Sequence, residues 1–305
     1  ALRLIRDKNP FTSVCGRVCN APCEDKCRRA QIDEPLSIRA LKRFAADAAG
    51  RGELPLPARR VSKTADKKVA IIGAGPSGLT AAYHLARMGY APTVFEAEKV
   101  AGGMLATAIP PYRLPRNVLQ GEIDLITSLG VDIKLNTRVD KAMFEKIRKD
   151  YDAVFVATGA TKGWTLGIPG EELDGIYDAI TFLKDVNLGI NSIKVGERVA
   201  VVGGGNSAID AARTALRVGA KKVTIVYRRL KDDMPAAAEE IHEAQVEGIE
   251  MRFLAVPVEA VGEGGKVKNL KCQLLELGEF DKSGRRKPRP IEGSIFDLPV
   301  DTVIT

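Results

Sequence analysis

After Lys68 the chain alternates short β-branched apolar runs with amphipathic stretches, and twice it does so around a glycine turn. The first round predicts a strand over 68–72, a turn over 73–78, a helix over 79–88 and a strand over 93–96. The second predicts the same succession at 198–202, 203–208, 209–218 and 222–227. Unbroken apolar runs belong to strands buried on both faces, so each round reads as a βαβ unit of a helix-covered parallel sheet. Further strands are predicted at 131–135 and 153–156, and from Met251 onward strand-like segments between Gly/Lys turns predict antiparallel elements. The two glycine turns lie about 130 residues apart, the mark of an internal repeat and of two nucleotide domains. Before them, residues 1–50 hold a group of cysteines and then a helix over 38–49, and residues 51–67 are Pro- and charge-rich without apolar period, a linker.

Composition narrows the class. The 305 residues are enough for two or three compact domains, and 45% hydrophobic residues with 29 glycines suit α/β units built on tight turns. No apolar run of about 18 residues is present to predict a membrane span, and no leader pattern predicts export, so the chain reads as cytoplasmic. Ala1–Arg6 reads as a helix already under way and Val300–Thr305 as a strand cut at its end, which predicts a piece of a longer protein. The net charge of +7 comes from cations spread along the chain, which argues for anionic cofactors and against nucleic acid.

Gly73, Gly75, Pro76, Ser77 and Gly78 lie in a complete GxGxxG between strand and helix. The first glycine allows the tight turn, the second admits a pyrophosphate to the backbone, and the third lets helix and strand pack. The pyrophosphate then meets the free amides at the helix start. Glu96 closes the next strand, where a carboxylate accepts hydrogen bonds from a ribose diol. Gly203, Gly205, Asn206, Ser207 and Ala208 lie in a second fingerprint of the GxGxxA form, and here the following strand ends in Arg228 and Arg229. Guanidinium groups bind a 2′-phosphate that a carboxylate would repel, so the first site is expected to take a cofactor without that phosphate and the second to prefer NADPH. Gly103, Met104 and Leu105 offer bare backbone for a flat flavin ring. Thr158 and Gly159 bring backbone close at a strand end, and Arg113 sits in a proline loop over 109–115 placed to wall the flavin.

Cys15, Cys19, Cys23 and Cys27 recur every fourth residue, with Pro22 interrupting any continuous helix. Four thiolates in a short loop suit a [4Fe-4S] cluster or a structural zinc, with unrelated thiols as the third reading. The absence of paired CxxC knuckles and of a nearby histidine, and the flavin site downstream, favour iron–sulfur. Cys272 stands alone in a strand-like run and reads as a core thiol. With only two histidines, His84 and His242, both on helices, no acid, base or nucleophile is assigned.

The sequence resembles the small subunit of glutamate synthase, the N-terminal half of dihydropyrimidine dehydrogenase and the NADPH-binding subunits of bifurcating transhydrogenases. The motifs are CGRVCNAPCEDKC, GAGPSG, the glutamate of VFEAE, GGM, IPPYRLP, ATG, GGGNSAIDAART, and VYRR followed by MPA. The resemblance implies FAD in the first cradle, NADPH in the second, and electrons leaving through two [4Fe-4S] clusters. In the family those clusters share ligands from this motif, matched most securely by Cys19, Cys23 and Cys27, and from an upstream cysteine group that would precede Ala1. Lys42 falls where one relative uses a glutamine ligand, and a final FAD-contacting segment would follow Thr305.

The fold expected is α/β. An iron–sulfur domain, small and mainly helical (1–50), and a linker (51–67) precede two Rossmann-like domains, for FAD (68–175) and NADPH (176–299), with 300–305 returning to the FAD domain. The function implied is electron input from NADPH through FAD to a partner subunit in a hetero-oligomer. The alternatives are a bifurcating complex or a nucleotide-binding redox sensor without turnover.

Overall fold

The computed structural model describes residues 1–48, 66–190, 193–280 and 286–305; the expected linker lies, up to residue 65, outside the described residues. The chain divides into two compact units, Ala1–Ala160 and Thr161–Thr305. Residues 161–175 therefore go with the second unit, not with the first as the sequence boundary at 175 had it.

In the first unit, four parallel strands run in the order β3-β2-β1-β4: β1 (Val69–Ile72), β2 (Thr93–Phe95), β3 (Asp132–Lys134) and β4 (Ala153–Val156). The pleat sends successive side chains of β1 to opposite faces. Ile71 joins Leu79, Val94, Ile123 and Ile126 beneath α5 (Pro76–Arg87) and α7 (Arg116–Ser128). Ala70 joins Phe95 and Ile147 beneath α8 (Lys141–Asp150). A short α6 (Met104–Thr107) stands between β2 and α7. The cysteine region forms α1 (Leu2–Arg6), α2 (Thr12–Val18), α3 (Pro22–Asp25) and α4 (Ile38–Ala48). Phe11 and Val14 are buried in the same core as α5 and α7, so the cysteine region is packed on the nucleotide fold. A Cβ on Gly16 would lie 2.8 Å from Arg43 Cα, which is how closely α2 and α4 cross.

The second unit holds five parallel strands in the order β5-β12-β6-β7-β8: β5 (Ile176–Tyr177), β6 (Arg198–Val202), β7 (Lys222–Tyr227), β8 (Glu250–Phe253) and β12 (Thr302–Ile304). Its two faces are covered differently, and the alternation along β6 shows how. Val199 and Val201 join the core shared with α9 (Ala179–Leu188), α10 (Asn206–Arg217) and α11 (Ala238–Val246). Ala200 joins Val226, Leu270 and Cys272 beneath an antiparallel sheet of β9 (Ala255–Glu263), β10 (Lys266–Phe280) and β11 (Arg286–Pro299). The strand at 300–305 does not return to the first domain as expected. β12 lies between β5 and β6, pairing Val303 with Ile176 and with Ala200. Its apolar side chains find a ready slot in the middle of that sheet.

Arg213, only 7% exposed, reaches from α10 to Glu240 and to Glu247 at 2.8 Å, and Arg217 bonds the same Glu247 at 2.8 Å. Bonds from Arg217 first and Arg213 second hold the Glu247 carboxyl down at about 2 from its ordinary 4.5. A carboxyl whose folded pKa is depressed adds stability above its unfolded value and loses it as the pH falls toward the folded one. Glu247→Gln is therefore expected to lower the melting temperature at neutral pH and to flatten its fall between pH 4.5 and about 2. Thermal unfolding across that range checks it; an unchanged acid limb would contradict it.

Candidate functional site

Each unit carries one glycine turn between the end of a strand and the start of a helix. In the first, Gly73 N–H donates to Phe95 O at 2.8 Å and Ala157 N–H to Ile72 O at 2.8 Å, so the turn stands at the C-terminal ends of three strands. Gly73 has φ +105°, and a Cβ there would sit 2.3 Å from Ala157 O. Gly75 precedes Pro76, the first helical residue of α5, and no side chain caps that helix. Its first-turn amides, with Ser77 exposed beside them, are available to an anion. Gly78 packs beneath, where a Cβ would lie 2.0 Å from Gly73 O.

Glu96 is 7% exposed. One carboxylate oxygen accepts Ala74 N–H at 2.7 Å and the other accepts Glu98 N–H at 2.8 Å. The carboxylate thus braces the turn and keeps lone pairs for a ribose diol. The chain then returns: Gly102 N–H donates to Ala74 O at 2.8 Å, and Gly103 lies so near Gly75 that a Cβ on it would be 2.8 Å from Gly75 Cα. From there Met104 and the buried Leu105 open α6. Arg113 is half-buried in a tight loop with its N–H on Pro110 O, while Thr158 and Gly159 are exposed just beyond β4. The residues named from the sequence at 73–78, 96 and 103–105 are brought together by these contacts.

The second turn repeats this plan. Gly203, φ +134°, donates to Val226 O at 3.0 Å, and α10 starts at Asn206 after Gly205 without a side-chain cap. Ser207 is exposed and Ala208 buried. Here too a later segment comes back, with Ala236 N–H on Gly204 O at 3.2 Å and Ala237 N–H on Asn206 Oδ1 at 3.1 Å. The MPA stretch thus lies on the turn, a contact that the motif alone does not show and the fold does.

Register corrects the reading of the paired arginines. Ile72 faces Phe95 in the first sheet and Val202 faces Val226 in the second, so Glu96 corresponds to Tyr227 and Arg228 comes one residue later. Tyr227 is buried against Gly204, where a Cβ would lie 2.6 Å from its ring, and its hydroxyl donates to Asp233 O at 2.8 Å. Arg228 is exposed, whereas Arg229 is 5% exposed with its Nε donating to Arg286 O at 3.2 Å. One guanidinium is exposed and the other buried on a backbone carbonyl, so the two do not present themselves as a pair.

Among the described residues no three His, Cys, Asp or Glu side chains are gathered at one point, and each of the four thiols expected to hold the cluster stands in its own surroundings. Cys15 packs against the core on α2. Cys19 Sγ accepts Ala21 N–H at 3.4 Å and Cys27 Sγ accepts Leu36 N–H at 3.5 Å, while Cys23 is exposed. The left-handed Ala21 (φ 50°) before Pro22 breaks the helix and sets the thiols in unlike surroundings. Backbone N–H groups, Leu36 first, hold the Cys27 thiol below its ordinary value. Cys272 is buried in β10 as expected, and burial pushes its thiol up to about 12.

Two glycine-turn units in tandem define a two-dinucleotide oxidoreductase. Residues 67–284 match the family model of pyridine nucleotide-disulphide oxidoreductases, and residues 1–53 match that of dihydropyrimidine dehydrogenase domain II, 4Fe-4S cluster. The chain belongs to the pyridine nucleotide-disulphide oxidoreductase family and carries an N-terminal 4Fe-4S domain; its cofactors are FAD, NADPH and a [4Fe-4S] cluster. It is 47% identical to the NADP(+)-dependent formate dehydrogenase subunit beta of Moorella thermoacetica, over 100% of this chain and 46% of that protein. It is 36% identical to the glutamate synthase [NADPH] small chain of Escherichia coli (strain K12), over 100% and 67%. The chain spans about half the length of the first of these, 46%. Mycobacterium tuberculosis FprA in complex with NADPH shares the fold, with a TM-score of 0.69 at 23% identity over 78% of this chain and 70% of that one.

Gly75 and Gly205 have ordinary φ angles of −76° and −88°, and a Cβ on either meets no atom closer than 3.9 Å. The fold does not require glycine at these positions, whereas close approach of a ligand would. Gly75→Ala is therefore expected to keep its folding stability without ligand within about 1 kcal/mol of wild type and to lose flavin, and Gly205→Ala to keep flavin and lose NADPH. Flavin absorbance and NADPH titration check both; a variant that binds normally would show that cradle to be elsewhere.

Proposed function

We propose that the chain is the electron-input module of an iron–sulfur flavoprotein oxidoreductase. It would take hydride from NADPH onto FAD and pass single electrons to [4Fe-4S] clusters and a partner subunit, as a glutamate synthase small subunit does. The observation that carries this reading is the unlike ending of two like cradles, a buried carboxylate at Glu96 and a tyrosine followed by an exposed guanidinium at Tyr227–Arg228. The subunit names of the relatives from Moorella and E. coli support a partner and a phosphorylated dinucleotide. When bound, FAD supplies the conversion between two-electron and one-electron chemistry.

The chain's own part is positioning. The amides at Ser77 and Gly78 and at Ser207 and Ala208 receive the two pyrophosphates, with Gly73, Gly75, Pro76, Gly203 and Gly205 giving the backbone clearance. Glu96 takes the ribose diol of the first cofactor. Gly103, Met104, Leu105, Arg113, Thr158 and Gly159 surround its flavin end. Arg228 takes the 2′-phosphate of the second, Asn206 is held in orientation by Ala237, and Arg229 is reassigned to bracing β11. Hydride transfer asks for no acid or base from the protein. No helix among the described residues is long and apolar enough to cross a membrane.

A hydrogen bond to a charged group contributes about 1.5–3 kcal/mol, or roughly 10- to 150-fold in binding. Arg228→Ala is expected to raise KM for NADPH by about that factor while leaving KM for NADH and the maximal rate near wild type. Steady-state oxidation of both nucleotides with an artificial acceptor tests it; equal losses for the two would remove Arg228 from the phosphate site.

A further inference from the structure

Helix α7 touches both the flavin loop and the cysteine helix with one face. Arg116, at its start, donates from its two terminal nitrogens to Leu105 O and Ile109 O, each at 2.9 Å. One turn on, Leu119 packs against the loop's glycine pair, where a Cβ on Gly102 would lie 3.0 Å from its Cδ2. One turn further, Glu122 is 2% exposed and accepts Ser13 N–H at 2.6 Å and Val14 N–H at 3.0 Å. Residues three apart share a helix face, so these contacts form a single stripe.

Ser13 and Val14 are the second and third residues of α2, whose N-cap, Phe11, offers no side-chain cap. A carboxylate 109 residues away in sequence does the capping instead. Burial pushes the Glu122 carboxyl above its ordinary value, against the opposing pull of the Ser13 and Val14 amides and of the Arg6 and Arg17 cations. Removing Glu122 would strand two donors, one half-buried and one buried, at the start of the helix that carries Cys15.

We propose that α7 couples occupancy of the flavin cradle to the order of α2, with Arg116 and Leu119 sensing the 102–109 loop and Glu122 as the positioning residue that transmits its state to residues 13–18. When FAD settles against Gly103–Leu105, that loop loses freedom. The stripe then holds α2, and with it Cys15 and the turn toward Cys19, in one place. Linkage makes the effect reciprocal, so an ordered α2 also tightens flavin binding.

The inference rests on FAD occupying the Gly73 cradle, and flavin absorbance of each sample reports that separately. The measurement is amide hydrogen exchange of peptides covering residues 11–18, in the full-length protein with and without FAD. Loading FAD is expected to slow exchange there by about tenfold, within the range usual for coupled sites. Glu122→Gln, which keeps one acceptor, should retain part of the effect. Glu122→Leu should abolish it while exchange in β1 still slows on loading. Should Glu122→Leu not fold, the wild-type and Glu122→Gln pair still decides. Exchange in 11–18 that ignores FAD in the wild type, or a full effect in either variant, would overturn the proposal.

Discussion

Both cradles depend on the chain coming back onto its own glycine turn. Gly102 N–H closes on Ala74 O in the first unit and Ala236 N–H closes on Gly204 O in the second. Each bond satisfies the carbonyl of the turn's second residue from a segment some 30 residues downstream. A turn held only by its flanking strand and helix would have to be ordered when the ligand arrives, at a cost in binding. Held from a third side, it presents its amides already in place. Backbone contacts this close leave little room for side chains, which is why Gly102–Gly103 stands in the first return. The second return instead lays Ala236 and Ala237 against the turn.

The two turns differ in what stands one residue past the cross-strand partner of the first strand's last residue, Phe95 opposite Ile72 and Val226 opposite Val202. In the first unit that residue is a carboxylate already committed to two backbone amides, so it is fixed before any ribose approaches. In the second it is Tyr227, whose ring covers Gly204 and whose hydroxyl is spent on Asp233 O. No carboxylate stands at that position, and the exposed Arg228 follows it. Selectivity of this kind needs repulsion removed as much as attraction added.

Strands and helices were legible wherever burial dictates an apolar run. The predicted strands at 198–202 and 222–227 agree with the buried β6 and β7 to the residue, and the apolar run at 153–156 agrees with β4, although that strand is mostly exposed. The glycine turns were legible because their spacing is a steric requirement. What escaped the sequence were features set by partners far along the chain. The placing of Arg228 and Arg229 failed by one residue, since only cross-strand register shows that Tyr227 matches Glu96. The strand at 300–305 carries the same apolar signal for either sheet, and pairing with β6 decided it. The regular spacing of the four cysteines was legible, but not the left-handed conformation of Ala21 that turns the backbone between them. Glu122 gave no signal at all, being an acid in a helix that reads as amphipathic until its buried face is seen.

The buried charges of this chain, taken together, explain how it can do redox chemistry with so few titratable candidates. Glu96 joins the glycine turn to the end of β2, Glu122 joins α7 to α2, Arg213 joins α10 to α11, and Arg229 joins the end of β7 to β11. Each is costly to bury alone, and each is compensated by hydrogen bonds from a different segment. A charge used in this way fixes geometry and is poorly placed to exchange protons with a substrate. For hydride and electron transfer that is no handicap, because rates there are governed by where the cofactors are held. The ionisable groups have been spent on holding, and the reactive chemistry is left to the molecules being held.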